Sequence, residues 1–205
     1  MSMDAATQTI ALFPLKSVLF PGTLLPLKVF EARYLDLVGE CLREGKPFGV
    51  VCLQSGKEVG REAACFETAG VLAHIESVDA DGPNLLRLVC RGGARFELEG
   101  DARRQPDGLW RADIRTLPGD EVELPAPEHL GSVQALQQVI ASLREQGNSP
   151  FAEPFALDDA GWVANRWCEI LPIPLAAKQR LMLLTEPQIR LRLVHEYLRG
   201  KGVVQ

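Results

Sequence analysis

Six places in this chain carry residue types that could do chemistry. Ser55–Gly56–Lys57–Glu58 has the look of the end of a phosphate-binding loop, and His195–Glu196 of half a zinc-protease helix. Cys65 and His74 could form a thiolate–imidazole pair. Asp79 with Asp81 and Asp158 with Asp159 offer paired carboxylates, and Arg91–Gly92–Gly93–Ala94–Arg95 offers backbone N–H groups flanked by cations. Spacing decides most of them. A phosphate loop needs a glycine where Val51 stands and a magnesium-holding hydroxyl where Glu58 stands. A zinc helix needs its second histidine where Arg199 stands. Cys65, between Ala64 and Phe66, reads as a packed strand residue whose thiol burial would quiet. The acidic pairs fall at turn and cap positions, where carboxylates serve the backbone. The double glycine reads as a tight hairpin turn rather than an anion nest.

The elements that would position these groups change in character along the chain. Up to about residue 118, short apolar runs alternate with Gly, Pro and Asp breaks, which is strand patterning. Thr9–Phe13 reads as a strand ended by Pro14, and Thr23–Phe30 as a strand held at an edge or bulged by Pro26. Phe48–Gln54, Gly70–Val78, Leu85–Arg91, Arg95–Glu99 and Leu109–Leu117 follow, with turns at Asp81–Gly82, Gly92–Gly93 and Asp107–Gly108. One helix interrupts them, Glu31–Glu44, with Tyr34, Leu37, Val38, Cys41 and Leu42 at helical spacing and Gly45 as its stop.

After an acidic, proline-broken connector the pattern is helical. Glu128–Glu145 places Leu130, Val133, Leu136, Val139, Ile140 and Leu143 on one face. Asp158 suits the start of a helix through Leu171, Pro174 the first turn of the next, and Thr185-x-x-Gln188 has capping-box form for a last helix closed by Gly200. The expectation is an α+β chain with a β subdomain over 8–118 and a four-helix subdomain over 127–200.

Composition closes off several function classes. The 205 residues carry 22 basic and 27 acidic groups, a net charge of −5, with 46% hydrophobic residues. Such a chain can build a core without staples. Residues 1–120 hold 14 basic and 17 acidic groups and the remainder 8 and 10, so neither half is a basic, nucleic-acid-tracking surface. The longest stretch free of Asp, Glu, Lys and Arg, His129–Leu143, is 15 residues and polar in places, whereas a membrane span needs about 20 apolar ones. No secretion signal opens the sequence. The five cysteines at 41, 52, 65, 90 and 168 include no CxxC and read as buried thiols of a reducing cytoplasm. No metal or other cofactor is expected.

Phe13–Pro14–Leu15, Val18–Leu19–Phe20–Pro21–Gly22, Leu25–Pro26–Leu27, Phe30–Glu31 and Arg33–Tyr34 resemble the opening signature of the N-terminal, substrate-recognition domain of Lon-type ATP-dependent proteases. The resemblance continues through Phe48–Gly49–Val50–Val51, Arg95–Phe96, Trp162, Leu171–Pro172, Lys178–Gln179 and Arg190–Leu191. It implies a PUA-like β pseudo-barrel of six strands followed by a helical bundle. It implies no catalysis, because the ATPase and Ser/Lys protease modules of a whole Lon protease would lie beyond this region. Asp81–Gly82–Pro83 echoes the sequence around the family's protease serine, but Asn84 stands at that position. The expected function is a stand-alone, cytoplasmic, proteolysis-related module that binds unfolded or extended polypeptides along a sheet edge or the groove between the subdomains. Protease or chaperone components are its expected partners, and no oligomeric state is legible. Glu31, Arg33 and Tyr34 are the candidate binding residues. Phe13, Pro14, Phe20, Pro21, Gly22, Leu25, Pro26, Leu27 and Phe30 are expected to build the barrel. Two alternatives stand beside this reading: an RNA-binding PUA-like module, and a small-molecule enzyme using Cys65 and His74.

Overall fold

Six consecutive buried residues, Ile10–Leu15, make the first strand the spine of the N-terminal sheet. The computed structural model describes residues 8–56, 58, 64–147 and 150–205, and the chain divides after Pro118 into two compact units. In chain order the first unit contains β1 (Gln8–Leu15), β2 (Leu24–Val29), α1 (Ala32–Glu44), β3 (Phe48–Ser55), β4 (Cys65–Gly82), β5 (Leu85–Leu98), β6 (Arg103–Arg104) and β7 (Trp110–Thr116). The second contains a 3-10 turn (Pro127–His129), α2 (Leu130–Glu145), α3 (Ala160–Ile170), α4 (Leu175–Leu183) and α5 (Pro187–Gly200). The chain is α+β.

The strands run in the order β2-β5-β4-β3-β1-β7-β6, and β5 pairs a second time, with β7, through Phe96, Glu97 and Leu98. That second pairing closes β5, β4, β3, β1 and β7 into a ring, with β2 and the two-residue β6 outside it. The described sheet thus has seven strands rather than six. Pro14 does not end β1. It lies inside the strand, opposite Val51 of the parallel β3, while β7 leaves β1 at Leu12. One side of β1 therefore carries no ladder at Pro14, and a residue without an N–H is tolerated there.

Gly92–Gly93 is not a turn either. β5 runs through it unbroken, pairing with β2 over Leu86–Arg91 and with β7 beyond Arg95. A register shift against β4 falls at this point, the signature of a bulge that bends a strand toward a new neighbour. The glycines are there for space. A Cβ on Gly92 would lie 2.2 Å from the Phe20 carbonyl oxygen, and one on Gly93 would lie 2.7 Å from His74 Nε2. The actual hairpin turn is Pro83–Asn84, since Gly82 pairs with Leu85. Asn84 has φ +59°, and a fixed proline φ followed by a left-handed residue is the combination of a type II turn.

The ring closes over Ile10, Leu12, Val51, Leu72, Phe96, Ala112 and Ile114. Phe96 fits because Gly49 and Gly70 have no side chains: a Cβ on either would come within 2.9 Å of the Phe96 ring. Of the residues expected on the inner face of α1, Leu37, Val38 and Cys41 are buried, while Leu42 faces solvent. Gly45 ends that helix at φ +64°, where an L side chain is disfavoured.

In the second unit α3 is the central element, buried at Ala160, Gly161 and every position from Val163 to Cys168. It is capped by Asp159 rather than Asp158, the Asp159 carboxylate accepting from the Gly161 N–H at 2.9 Å. Leu130, assigned to the inner face of α2, is exposed. Pro174 is the residue before α4 rather than its first. The capping box at Thr185 does not form: Glu186 precedes α5, and Gln188 turns to the connector, donating to the Leu124 carbonyl at 2.6 Å and accepting from the Ala126 N–H at 3.4 Å. Glu123 adds a further tie, its carbonyl accepting from the Ala160 N–H at 2.8 Å. No helix among the described residues is long and apolar enough to cross a membrane.

Candidate functional site

The signature segment forms a loop, an edge strand and a helix start. Phe20 is fully buried, and Gly22 turns the chain at φ +79°. The Gly22 N–H donates to the Gly92 carbonyl at 2.8 Å, and the Gly92 N–H returns to the Thr23 carbonyl at 2.9 Å. Those two bonds launch β2 against the outer half of β5. With β5 on one side and no described strand on the other, β2 is an edge, one of the two arrangements that Pro26 suggests. A proline in an edge strand withholds one donor and discourages indiscriminate strand pairing.

Beneath this edge lies a cavity of about 180 Å³, lined among others by Phe13, Pro26, Val29, Phe30, Glu31 and Tyr34. Phe13 and Tyr34 stack with ring centroids 4.0 Å apart and an interplanar angle of 20°. Tyr34 is 4% exposed. Burial pushes its hydroxyl pKa up, and the neighbouring Arg33 charge only partly opposes that. Phe30, expected inside the barrel, is instead 53% exposed at the cavity rim. Leu25 and Leu27 are half-buried.

Glu31 precedes α1 in extended conformation, and its carbonyl accepts from the N–H groups of Tyr34 and Leu35. Its carboxylate makes no cap bond; it pairs with Arg33 at 3.0 Å. Arg33 is buried, donates through Nη1 to the Gly108 carbonyl at 2.8 Å and holds its guanidinium carbon 4.6 Å from the Tyr34 ring centroid. Arg33 is thus a strut between the start of α1 and the turn before β7, and it orients Tyr34. Glu58 reaches the same cavity, its carboxylate accepting from the Lys16 N–H. A second cavity of about 530 Å³ opens on β2 and β5, lined by Leu27, Lys28, Asp79, Arg87 and Val89 among others. Together these features present an extended edge with an aromatic floor.

The groups whose residue types could do chemistry do not assemble. Cys65 is exposed at the start of β4, against the expectation of packing, and its thiol donates to Gln54 Oε1 at 3.3 Å. His74 lies nine residues farther along the same strand, which at the usual rise separates the two by about 30 Å. They cannot act as a pair. Asp81 is engaged by Arg87 at 2.7 Å, and Asp159 is a helix cap. His195 contacts Ser132 in the interior of the helical unit. Lys57 and Ala63 fall outside the described residues, where the phosphate-loop comparison and part of the Cys65 surroundings lie. No cluster of three His, Cys, Asp or Glu side chains able to hold a metal occurs among the described residues. Surface arginines of the sheet face carboxylates: Arg87 with Asp81, Arg91 with Glu76, Arg103 with Asp113 and Arg115 with Glu97. That pairing spends the charge an RNA-binding stripe would need.

Sequence patterning does not reveal the Gly92 docking point, the Arg33–Gly108 strut or the exposure of Phe30. The first two join residues far apart in the chain, and the double glycine is their one local trace.

The arrangement has known counterparts. The model of the ATP-dependent protease La (LON) substrate-binding domain matches residues 9–200. A Lon protease of Anaeromyxobacter dehalogenans is 26% identical over 197 residues, covering 94% of this chain and 23% of that protein. Protein cereblon of Gallus gallus is 28% identical over 136 residues, covering 66% of this chain and 29% of that one. The chain therefore spans about a quarter of the length of the Lon proteases it matches. The crystal structure of a Lon N-terminal domain protein from Xanthomonas campestris superposes with a TM-score of 0.75 at 30% identity, covering 93% of this chain and 98% of that one. With the family model spanning barrel and helices alike, and a solved Lon N-terminal domain following the same path, this chain belongs to the family of Lon substrate-binding domains.

Proposed function

We propose that this chain is a non-catalytic polypeptide-recognition module that receives extended or unfolded segments at the β2 edge. The backbone of the bound segment adds to β2 as a strand, and one apolar or aromatic side chain enters the cavity floored by Phe13 and Tyr34. The observation that carries this reading is the coincidence of a strand edge with an aromatic cavity at its foot. Main-chain hydrogen bonds supply affinity in strand addition, and pockets for alternate side chains supply selectivity. Membership of a substrate-binding family supports polypeptides as the ligand class, and a proteolytic or chaperone machine of the cytoplasm is the proposed destination.

The test uses fluorescent peptides and anisotropy. Peptides with an aromatic residue flanked by extended, uncharged residues bind, and N-methylation of alternate backbone amides weakens them. Peptides that bind equally well with and without N-methylation, or an absence of binding to any unfolded protein at micromolar concentration, would overturn the reading.

A further inference from the structure

In the helical unit two histidines are buried side by side. His129 ends the 3-10 turn before α2, His195 lies on α5, and they are 6% and 7% exposed. Their ring centroids are 5.2 Å apart. His195 Nδ1 is 2.9 Å from Ser132 Oγ, and the Ser132 carbonyl accepts from Trp167 Nε1 of α3 at 3.0 Å. Three helices therefore meet at this pair. His129 Nδ1 is buried and finds no hydrogen-bond partner among the described residues. Its ring also stands at the N-terminal end of α2, where the unpaired N–H groups make a positive pole.

We infer that this pair is a proton-sensitive clasp: a proton added to His129 between about pH 7.5 and pH 5.5 loosens the hold of α2 on α5. A neutral imidazole can lie against another neutral ring. An imidazolium here would be desolvated, would face His195 and the α2 pole, and would carry a second N–H donor with nothing to receive it. The charged groups whose fields reach His129 are Glu128 beside it and Arg192 and Glu196 on α5. The two carboxylates oppose the effect; burial, His195 and Arg192 favour it, and the balance holds His129 below the ordinary imidazole value of 6.5, burial being the largest cause. The sign follows. The unfolded chain takes up the proton at that ordinary value and the folded chain only below it. Stability is therefore complete above that value and is lost as the pH falls through it.

The clasp rests on the interior of the helical unit and is independent of peptide recognition. It is tested by thermal unfolding of the whole chain and of His129→Phe and His129→Gln at about pH 7.5 and pH 5.5, the interval in which histidine titrates. Between the two conditions wild type is expected to lose roughly 3 to 6 °C more than either variant. Carboxylate titration is common to all three proteins and cancels. Equal losses in wild type and variants would overturn the inference. Should neither variant fold at neutral pH, a nuclear magnetic resonance titration of the wild-type imidazoles decides. A His129 midpoint below that of a free histidine supports the clasp, and one at or above it rejects it.

Discussion

Asp120 and Arg190 meet fork to fork: Nη1 lies 2.6 Å from Oδ2 and Nη2 3.1 Å from Oδ1. Arg190 is 1% exposed and also donates to the Asn165 side chain and to the carbonyls of Leu181 and Leu184. Every N–H of the guanidinium is thereby matched, which is the condition under which a buried charge is tolerated. Asp120→Asn leaves that charge without its counter-ion. The expected cost is about 3 kcal/mol, read as a lower denaturant midpoint for loss of helical signal. A midpoint unchanged from wild type would show that the pair contributes nothing net.

The same contact fixes where the helical unit begins. Asp120, Glu123, Leu124 and Ala126 are all bonded to residues of α3 or α5. A fragment starting at Gly119 is expected to fold by itself, and one starting at Pro127 to unfold at a distinctly lower temperature. Circular dichroism melts of the two fragments check this.

Phe30 separates recognition from stability. Because it is largely exposed, Phe30→Ser should change stability by no more than about 0.5 kcal/mol. At the cavity rim it should weaken binding of an aromatic peptide about tenfold, the loss of roughly 1.4 kcal/mol of contact. Tyr34→Ala, by contrast, removes a buried stacked ring and should cost about 3 kcal/mol of folding stability. Anisotropy and chemical denaturation run side by side distinguish the two.

Space around Phe96 is the next testable feature. A methyl group on Gly70 would lie 2.1 Å from the Val50 carbonyl oxygen. Backbone cannot yield there without breaking the β3–β4 ladder, so Gly70→Ala should cost about 3 kcal/mol or more. Gly119→Ala, with nothing within 4 Å of the added methyl, serves as the silent control. Soluble expression and melting temperature report the difference.

Thiol chemistry singles out one residue. Burial pushes the pKa of Cys41 up to about 11 and those of Cys90 and Cys168 up to about 12. Burial raises Cys52 as well. These thiols stay protonated and enclosed at neutral pH, so a disulfide reagent should titrate one equivalent from the native chain and five after denaturation. Cys65→Ser should bring the native value to none.

Elements with local causes were legible in the residues. The end of α1 at Gly45, the edge position of β2 through Pro26 and the four α-helices of the second unit all follow from nearby side chains and their spacing. Features made by distant partners were not. Pro14 reads as a stop until β7 is seen to leave β1 two residues earlier, and Gly92–Gly93 reads as a turn until Phe20 is found against it. Thr185 and Gln188 have the right spacing for a cap, yet Gln188 has a better use 64 residues away at Leu124. At the candidate site the segment stood out in the residues, while the exposure of Phe30, the residue after β2, did not.

Closure of the ring through β5 and β7 has a consequence for how the molecule meets other chains. A segment paired inside the ring has both flanks satisfied and cannot accept a newcomer, whereas the outer part of β4, residues 74–82, pairs with β5 alone. Among the described strands that leaves β2, the outer part of β4 and β6, and β6 is too brief to template anything. Of the two long flanks left open, the one at β2 has the aromatic cavity at its foot.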